Sequence, residues 1–331
     1  MTDKTSILPD IYYTQEYGKL CEIIEDGVAE QFEFESEDGL ILHQFIKRKI
    51  DTGVHDTSYF DVTTPYGYGG PVILRLNGNK ERLIHSFAEA FGQYCMENNI
   101  VSEFIRFHPM INNALDFKEV YDVQYMRHTV ATNLRDFDDP IQFEFGKKCR
   151  RDIRRSIRQG MSYEIIERPD NLDVFIKIYY ETMDRNNAER FYYFDKAYFK
   201  QCIDYFQDNI VLVNATFEGK VICSELYFIW DHFIHSHLSG TRTEYLRMSP
   251  DYVVMYAIAN WGKENDYHFI HTGGGTSNAE DDSLYLFKKK FAKNTDFDFY
   301  IGKKIWNSKV YCELCELLGC SDDFFPAYRK R

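Results

Sequence analysis

Residues 209–230, NIVLVNATFEGKVICSELYFIW, decide the fold: two runs rich in β-branched and aromatic residues flank the acidic–glycine pair Glu218-Gly219. Such runs around so short a turn predict a β-hairpin, because glycine accepts the left-handed backbone that a tight reversal demands. The same pattern stands at 29–48, AEQFEFESEDGLILHQFIKR, with its turn at Glu37-Asp38-Gly39. A helical stretch follows each hairpin, at about 79–98 and about 250–264. A short strand then follows each helix, IVSEFIRF at 100–107 and YHFIHT at 267–272. One order of elements therefore occurs twice, and no Pro/Gly/Ser-rich linker or low-complexity tract interrupts the chain.

That order of helix, hairpin, third strand, helix and strand resembles the GNAT core. The expected fold is accordingly α/β (α+β), with two tandem GNAT-like domains facing a shared cleft. Between the copies lies GKKCRRDIRRSIRQG (146–160), in which Cys149, Ile153 and Ile157 recur every four residues as a narrow apolar stripe and Gly160 stops the helix. This basic helix is the natural joint. It sets the expected domains at 1–145 and 146–304, with 305–331 as a C-terminal helix.

The composition narrows the function. With 44% hydrophobic residues, the 331-residue chain can build a sizeable core. A net charge of −13 argues against coating nucleic acid by bulk electrostatics, although it leaves room for a local basic site. The 17% of aromatic residues suits clefts that grip planar or sugar-like ligands as well as large cores. No run of 18 apolar residues predicts a membrane span, and MTDKTSILPD shows no leader-like pattern, so a cytoplasmic location is expected. The eight cysteines are scattered. Only Cys312 and Cys315 form a CxxC, which helical spacing would place on one buried face, and no partner pair completes a metal site.

Four motifs carry a more specific likeness. Thr64-Pro65-Tyr66-Gly67-Tyr68-Gly69-Gly70-Pro71 follows the strand SYFDV and specifies a fixed, irregular backbone furnished with two tyrosines. Arg106-Phe107-His108-Pro109 ends the first half's last strand. The basic helix follows, and Phe287-Lys288-Lys289-Lys290-Phe291 lies behind a glycine-rich strand end. In this order they resemble the FemAB-type acyl- and aminoacyltransferases, FemX-like proteins included. The resemblance covers about residues 58–305. It implies two GNAT-like domains with the 305–331 helix packing back on the first, and transfer of an acyl or aminoacyl group to an amine, often on a cell-wall or surface-glycan precursor.

Candidate residues follow from these motifs. Tyr66 and Tyr68 would offer stacking and hydroxyls to an acceptor, and Arg106 and His108 would orient an anionic one. Arg151 and Arg155 on the basic helix suit phosphate or carboxylate recognition. In the strand HFIHSHLSG, two-residue alternation puts His235, His237 and Ser239 on one face. His237 is then a candidate proton acceptor, with Glu225 on the preceding strand as its competitor. Tyr285 falls where many GNAT enzymes place the tyrosine that protonates a thiolate, and Lys288 is a candidate for ligand charge. The usual CoA loop, Arg/Gln-x-x-Gly-x-Gly/Ala, is missing. Leu246-Arg247-Met248-Ser249-Pro250-Asp251 stands in its place, with Ser249 as N-cap, Pro250 at N1 and Asp251 where a phosphate would want no carboxylate. Arg247 and Lys288 are the nearest cations for a CoA pyrophosphate. Phe191-Tyr192-Tyr193-Phe194 could stack the bases of an RNA end.

The expected function is N-acyl transfer to an amine of an amino sugar or cell-wall precursor, by direct attack in a ternary complex without a metal. The main reading takes acyl-CoA as donor. The alternative is a FemX-like, aminoacyl-tRNA-dependent peptidoglycan-bridge aminoacyltransferase, and a second alternative is a non-catalytic binding protein on the same fold.

Overall fold

The structure is a computed structural model that describes residues 8–51, 58–319 and 324–329; most of the N-terminal stretch read for a leader, and Cys320, lie outside them. Two compact units divide the chain, Met1–Met126 with Asp298–Arg331 and Arg127–Phe297. They meet at Met126/Arg127, ahead of the 145/146 boundary expected from the basic helix. The fold is mixed α/β, as the repeated order implied.

The first unit opens with α1 (Gln15–Glu25), whose N-cap Thr14 accepts a hydrogen bond from the Tyr17 amide. The hairpin of β1 (Val28–Ser36) and β2 (Gly39–Ile50) follows, then β3 (Tyr59–Thr63), β4 (Val72–Leu76), α2 (Lys80–Glu97) and β5 (Ile100–Arg106). β1, β2, β3 and β5 lie side by side, with β3 and β5 parallel and β4 paired to β2. Phe87 and Phe91 of α2 fill the core against Phe45, Val62 and Ile105. β6 (Asp122–Asn133) then leads into the second unit.

The second unit contains α3 (Pro140–Glu144), α4 (Lys147–Arg158), β7 (Ser162–Glu167), α5 (Asp173–Arg185) and α6 (Lys196–Phe206). The hairpin of β8 (Ile210–Phe217) and β9 (Lys220–Trp230) comes next, followed by β10 (Phe233–Thr241), α7 (Pro250–Glu264), β11 (Phe269–Gly273) and α8 (Ser283–Lys288). The hairpin turns at Glu218 and Gly219, both with positive φ (49° and 73°), which is the twist-matched two-residue reversal. The strands order as β6-β11-β10-β9-β8-β7. α7 is apolar almost all round and buries Val253, Val254, Ala257 and Ile258 on the face that carries Tyr227, while α5 and α6 cover the face that carries Phe228. β12 (Asp296–Ile305) returns the chain to the first unit, where it pairs with β5. There α9 (Ser308–Leu318) buries Val310 and Leu314 beside Val101.

Two local expectations change. Cys312 is exposed and Cys315 half-buried, because the buried stripe of α9 runs through Val310 and Leu314 instead. Ser249 precedes α7 in the left-handed conformation and its side chain makes no cap, although Pro250 does begin the helix.

Candidate active site

In the first unit the TPYGYGGP loop is held from several sides. Gly67 and Gly70 have φ of +97° and +82°, and a Cβ at Gly67 would lie 2.9 Å from the Tyr12 ring. The hydroxyls of Tyr17 and Tyr13 donate to the carbonyls of Tyr66 (2.8 Å) and Gly69 (3.2 Å), and the Asn113 amide donates to those of Gly69 and Pro71. Arg106 donates to the carbonyls of Thr64 and Pro65 and pairs with Glu25 at 2.6 Å, so it braces the loop rather than facing a ligand. His108 is fully buried: its Nδ1 accepts from the Ile111 amide and its Nε2 lies 3.2 Å from the Asp10 carboxylate. It therefore belongs to the support. Tyr66 and Tyr68 stay partly exposed, with Tyr68 edge-on to Tyr12 and Phe299. Two accessible tyrosines therefore lie over a rigid backbone.

In the second unit, parallel pairing of β10 with β11 ends at His235↔His271, yet β10 runs on to Thr241 and β11 to Gly273. The strands part there. On the β10 side, Ser236 donates to Glu225 of β9 at 2.5 Å. On the β11 side, Lys288 donates to the carbonyl of Gly274 at 2.7 Å. Burial pushes the Glu225 carboxyl up to about 7, against the pull of Ser236, Tyr227 and Lys288. Burial likewise brings the Lys288 ammonium down to about 8, opposed by Glu225 and Asp282. A carboxyl and an amine, each tuned towards neutrality, thus act on one another electrostatically. Tyr285, half-exposed, stands one turn before Lys288 on α8.

The loop after β11 is fixed by a residue the sequence reading passed over. Asp282 caps α8 at the amides of Leu284 and Tyr285 and also accepts from Thr276 and Ser277. A Cβ on Gly275 would meet its Oδ1 at 2.3 Å. Arg127 donates to the carbonyls of Gly275 and Ser277. An aspartate opening the helix in DDSL was the available signal for Asp282; Arg127 had none, being remote in sequence.

His237 requires a correction. The register of β10 on β9 slips between Ser236 and Leu238, which makes His237 the extra residue of a β-bulge: His235, paired with Phe228, and His237 stay on one face, while Ser239 moves to the face of its partner Glu225. His237 packs on Phe228 and takes a 2.5 Å hydrogen bond with the Tyr198 hydroxyl, on the α6 face. Glu225 shares the α7 face with Cys223 and Tyr227. The two candidate bases lie on opposite sides of the sheet. Burial holds the imidazole down to about 3, so it is neutral and a poor proton acceptor at physiological pH.

A family model for the acetyltransferase (GNAT) domain matches residues 147–281. The chain carries a GNAT-type acetyltransferase domain. It is also similar in sequence to the UDP-N-acetylmuramoylpentapeptide-lysine N(6)-alanyltransferase of Weissella viridescens, 26% identical over 180 residues; the match spans about half of each chain, 51% here and 50% of the relative. In fold it is similar to FemX (TM-score 0.69, 11% identity, 92% of this chain and 94% of the other) and to L-PGS from Bacillus licheniformis (0.55, 15%, 92% and 96%). The matches to a GNAT domain and to a Fem-family transferase support an acyltransferase enzyme.

This GNAT-type domain differs from the CoA pattern at the start of α7. Asp251 stands in the first turn of α7, and burial raises its carboxyl to about 6 against the pull of the nearby backbone amides. Arg247 is exposed, one residue before Met248, whose carbonyl accepts from Ser156 of α4. Arg151 and Arg155 are exposed on α4 and share Asp152 at 3.5 and 3.6 Å. Phe191, Tyr192 and Tyr193 are exposed in the turn after α5, and Phe194 is buried.

Proposed function

We propose that the protein is an aminoacyltransferase that moves an aminoacyl group from an aminoacyl-tRNA ester to an amine on a cell-wall peptide precursor. The observation that carries this reading is Asp251. In CoA-using GNAT enzymes the amides at this helix start hold a pyrophosphate; here the Asp251 carboxyl stands in that first turn. A pyrophosphate placed there would face an acid, so the residues do not fit CoA. The likeness to an alanyltransferase supports the alternative donor over the acyl-CoA first expected.

In this reading the ester carbonyl enters the gap where β10 and β11 part. The acceptor amine attacks the carbonyl carbon, the amide C–N bond forms, and the ester C–O bond breaks. Glu225, ionised in a fraction set by its value near 7, takes the amine proton. The Lys288 ammonium stabilises the developing oxyanion and supplies a proton to the leaving ribose oxygen. No helix among the described residues is long and apolar enough to cross a membrane.

Transfer of labelled alanine from charged tRNA to a muramoyl-pentapeptide precursor, run beside labelled acetyl-CoA, tests the proposal. Label should reach the precursor from tRNA, with the thioester idle. Acetyl transfer without any RNA-dependent transfer would overturn it, and the acyl-CoA reading would stand in its place.

A further inference from the structure

We propose that the exposed face of α4, with the groove beside it, is the surface that holds the phosphodiester backbone of the donor RNA. The inference rests on the aminoacyl-RNA reading above. α4 carries Lys147, Lys148, Arg150, Arg151, Arg154, Arg155 and Arg158 against the single acid Asp152, in a chain of net charge −13. Cys149 and Ile153 are buried in the core of the second unit, which fixes the helix and leaves all these cations except Arg150 exposed.

The geometry separates a polyanion from a small anion. A site for one pyrophosphate needs donors that converge and are withdrawn from water. Here Lys147, Arg151, Arg154 and Arg158 recur at i, i+4, i+7 and i+11, forming one row of about 16 Å along the helix. Among the described residues Lys147, Arg154 and Arg158 have no carboxylate within ion-pair distance, and Arg151 has only the Asp152 that Arg155 also uses. Exposed cations in a row bind by releasing the counterions of an extended phosphate chain, which a compact anion cannot reward.

The groove adds a second element. A cavity of about 500 Å³ opens between α3, α4 and α7, with Arg150, Arg154, Ile157 and Tyr256 among its walls. Arg150, Arg154 and Lys263 share the lining with Asp138, Asp139 and Glu264, and the exposed Tyr163 lies edge-on to Tyr256 at 6.2 Å. Aromatic rings beside a basic track are what unpaired bases stack on.

The test is fluorescence anisotropy with uncharged tRNA, from 50 to 200 mM salt, on the wild type and on Lys147→Gln/Arg151→Gln/Arg154→Gln/Arg158→Gln. Melting curves serve as the fold control, and Arg154→Gln/Arg158→Gln is the milder variant should the fourfold one unfold. Each lost phosphate contact removes about 0.7–0.9 from the slope of log K against log salt, so the fourfold variant should lose about 3 and the milder one about half of that. Wild-type affinity and slope in a folded variant would place the RNA elsewhere and overturn the inference, while transfer from charged tRNA would still stand by itself. No RNA binding by the wild type also overturns it, and the transfer assay then judges the donor separately. Binding to phosphatidylglycerol vesicles through these residues, without RNA, would assign the face to lipid and likewise overturn it.

Discussion

Replacing Glu225 by Gln should stabilise the protein at alkaline pH while abolishing most of its turnover. The carboxyl is nearly buried (7% exposed) and raised from an ordinary 4.5 to about 7, chiefly by burial. Between those values the native state holds a proton that the unfolded chain has lost, so stability falls as pH rises through that window. The full difference corresponds to about 3 kcal/mol, present above pH 7 and absent below about 4.5. Glutamine keeps an oxygen for the Ser236 hydroxyl and carries no charge, so E225Q should escape the penalty. Removing a general base lowers the rate by roughly 10²–10⁴. Urea unfolding of both forms at pH 5 and pH 8, with pH–rate profiles on the same preparations, reads both effects. The wild type should lose stability between the two pH values and the variant much less, and the wild type's acidic limb near 7 should vanish in whatever activity remains. Parallel pH dependence of unfolding in the two proteins would refute the burial argument; near-normal turnover in E225Q would remove Glu225 from the chemistry.

His237→Gln should keep the wild-type pH–rate profile, because the ring is neutral and faces α6; a profile that loses a limb would reinstate it as the base. It should lose about 1–3 kcal/mol of stability by disturbing the Tyr198 hydroxyl, measured by urea titration. Gly275→Ala should depress kcat more than it depresses Tm, since its Cβ would displace the Asp282 carboxylate and with it the loop that positions Lys288; unchanged kcat would show that the loop tolerates the shift. Tyr68→Ala should raise KM for the precursor with little change in kcat, whereas Arg106→Ala should lower stability through loss of the buried Glu25 pair, as melting would reveal.

The elements themselves were readable because their signals are local. Glu218-Gly219 reverses the chain within two residues, and Pro250 begins α7 where the sequence places it. What misled was local pattern carried too far. Strict alternation puts Ser239 with His235 and His237, and one bulged residue moves Ser239 to the face of Glu225. Arg106 and His108 looked like ligand groups because their partners, Glu25 and Asp10, lie more than eighty positions earlier, and no spacing rule links them. Lys288 and Glu225 were both legible as candidates. Their mutual influence was not, because it arises only when the fold brings two residues 63 positions apart within electrostatic reach.

The donor turns on a similar distinction between local and global quantities. A net charge of −13 describes the field far from the protein, where it slows the approach of RNA. Binding is decided within about 8–10 Å, beyond which physiological salt screens exposed charges. On that scale the α4 face is strongly cationic whatever the rest of the chain carries. The first turn of α7, by contrast, carries the Asp251 carboxyl where a thioester cofactor would need a free anion site. Bulk acidity therefore cannot count against an RNA donor, whereas Asp251 counts directly against CoA. The two observations point the same way because each is read where a ligand would touch.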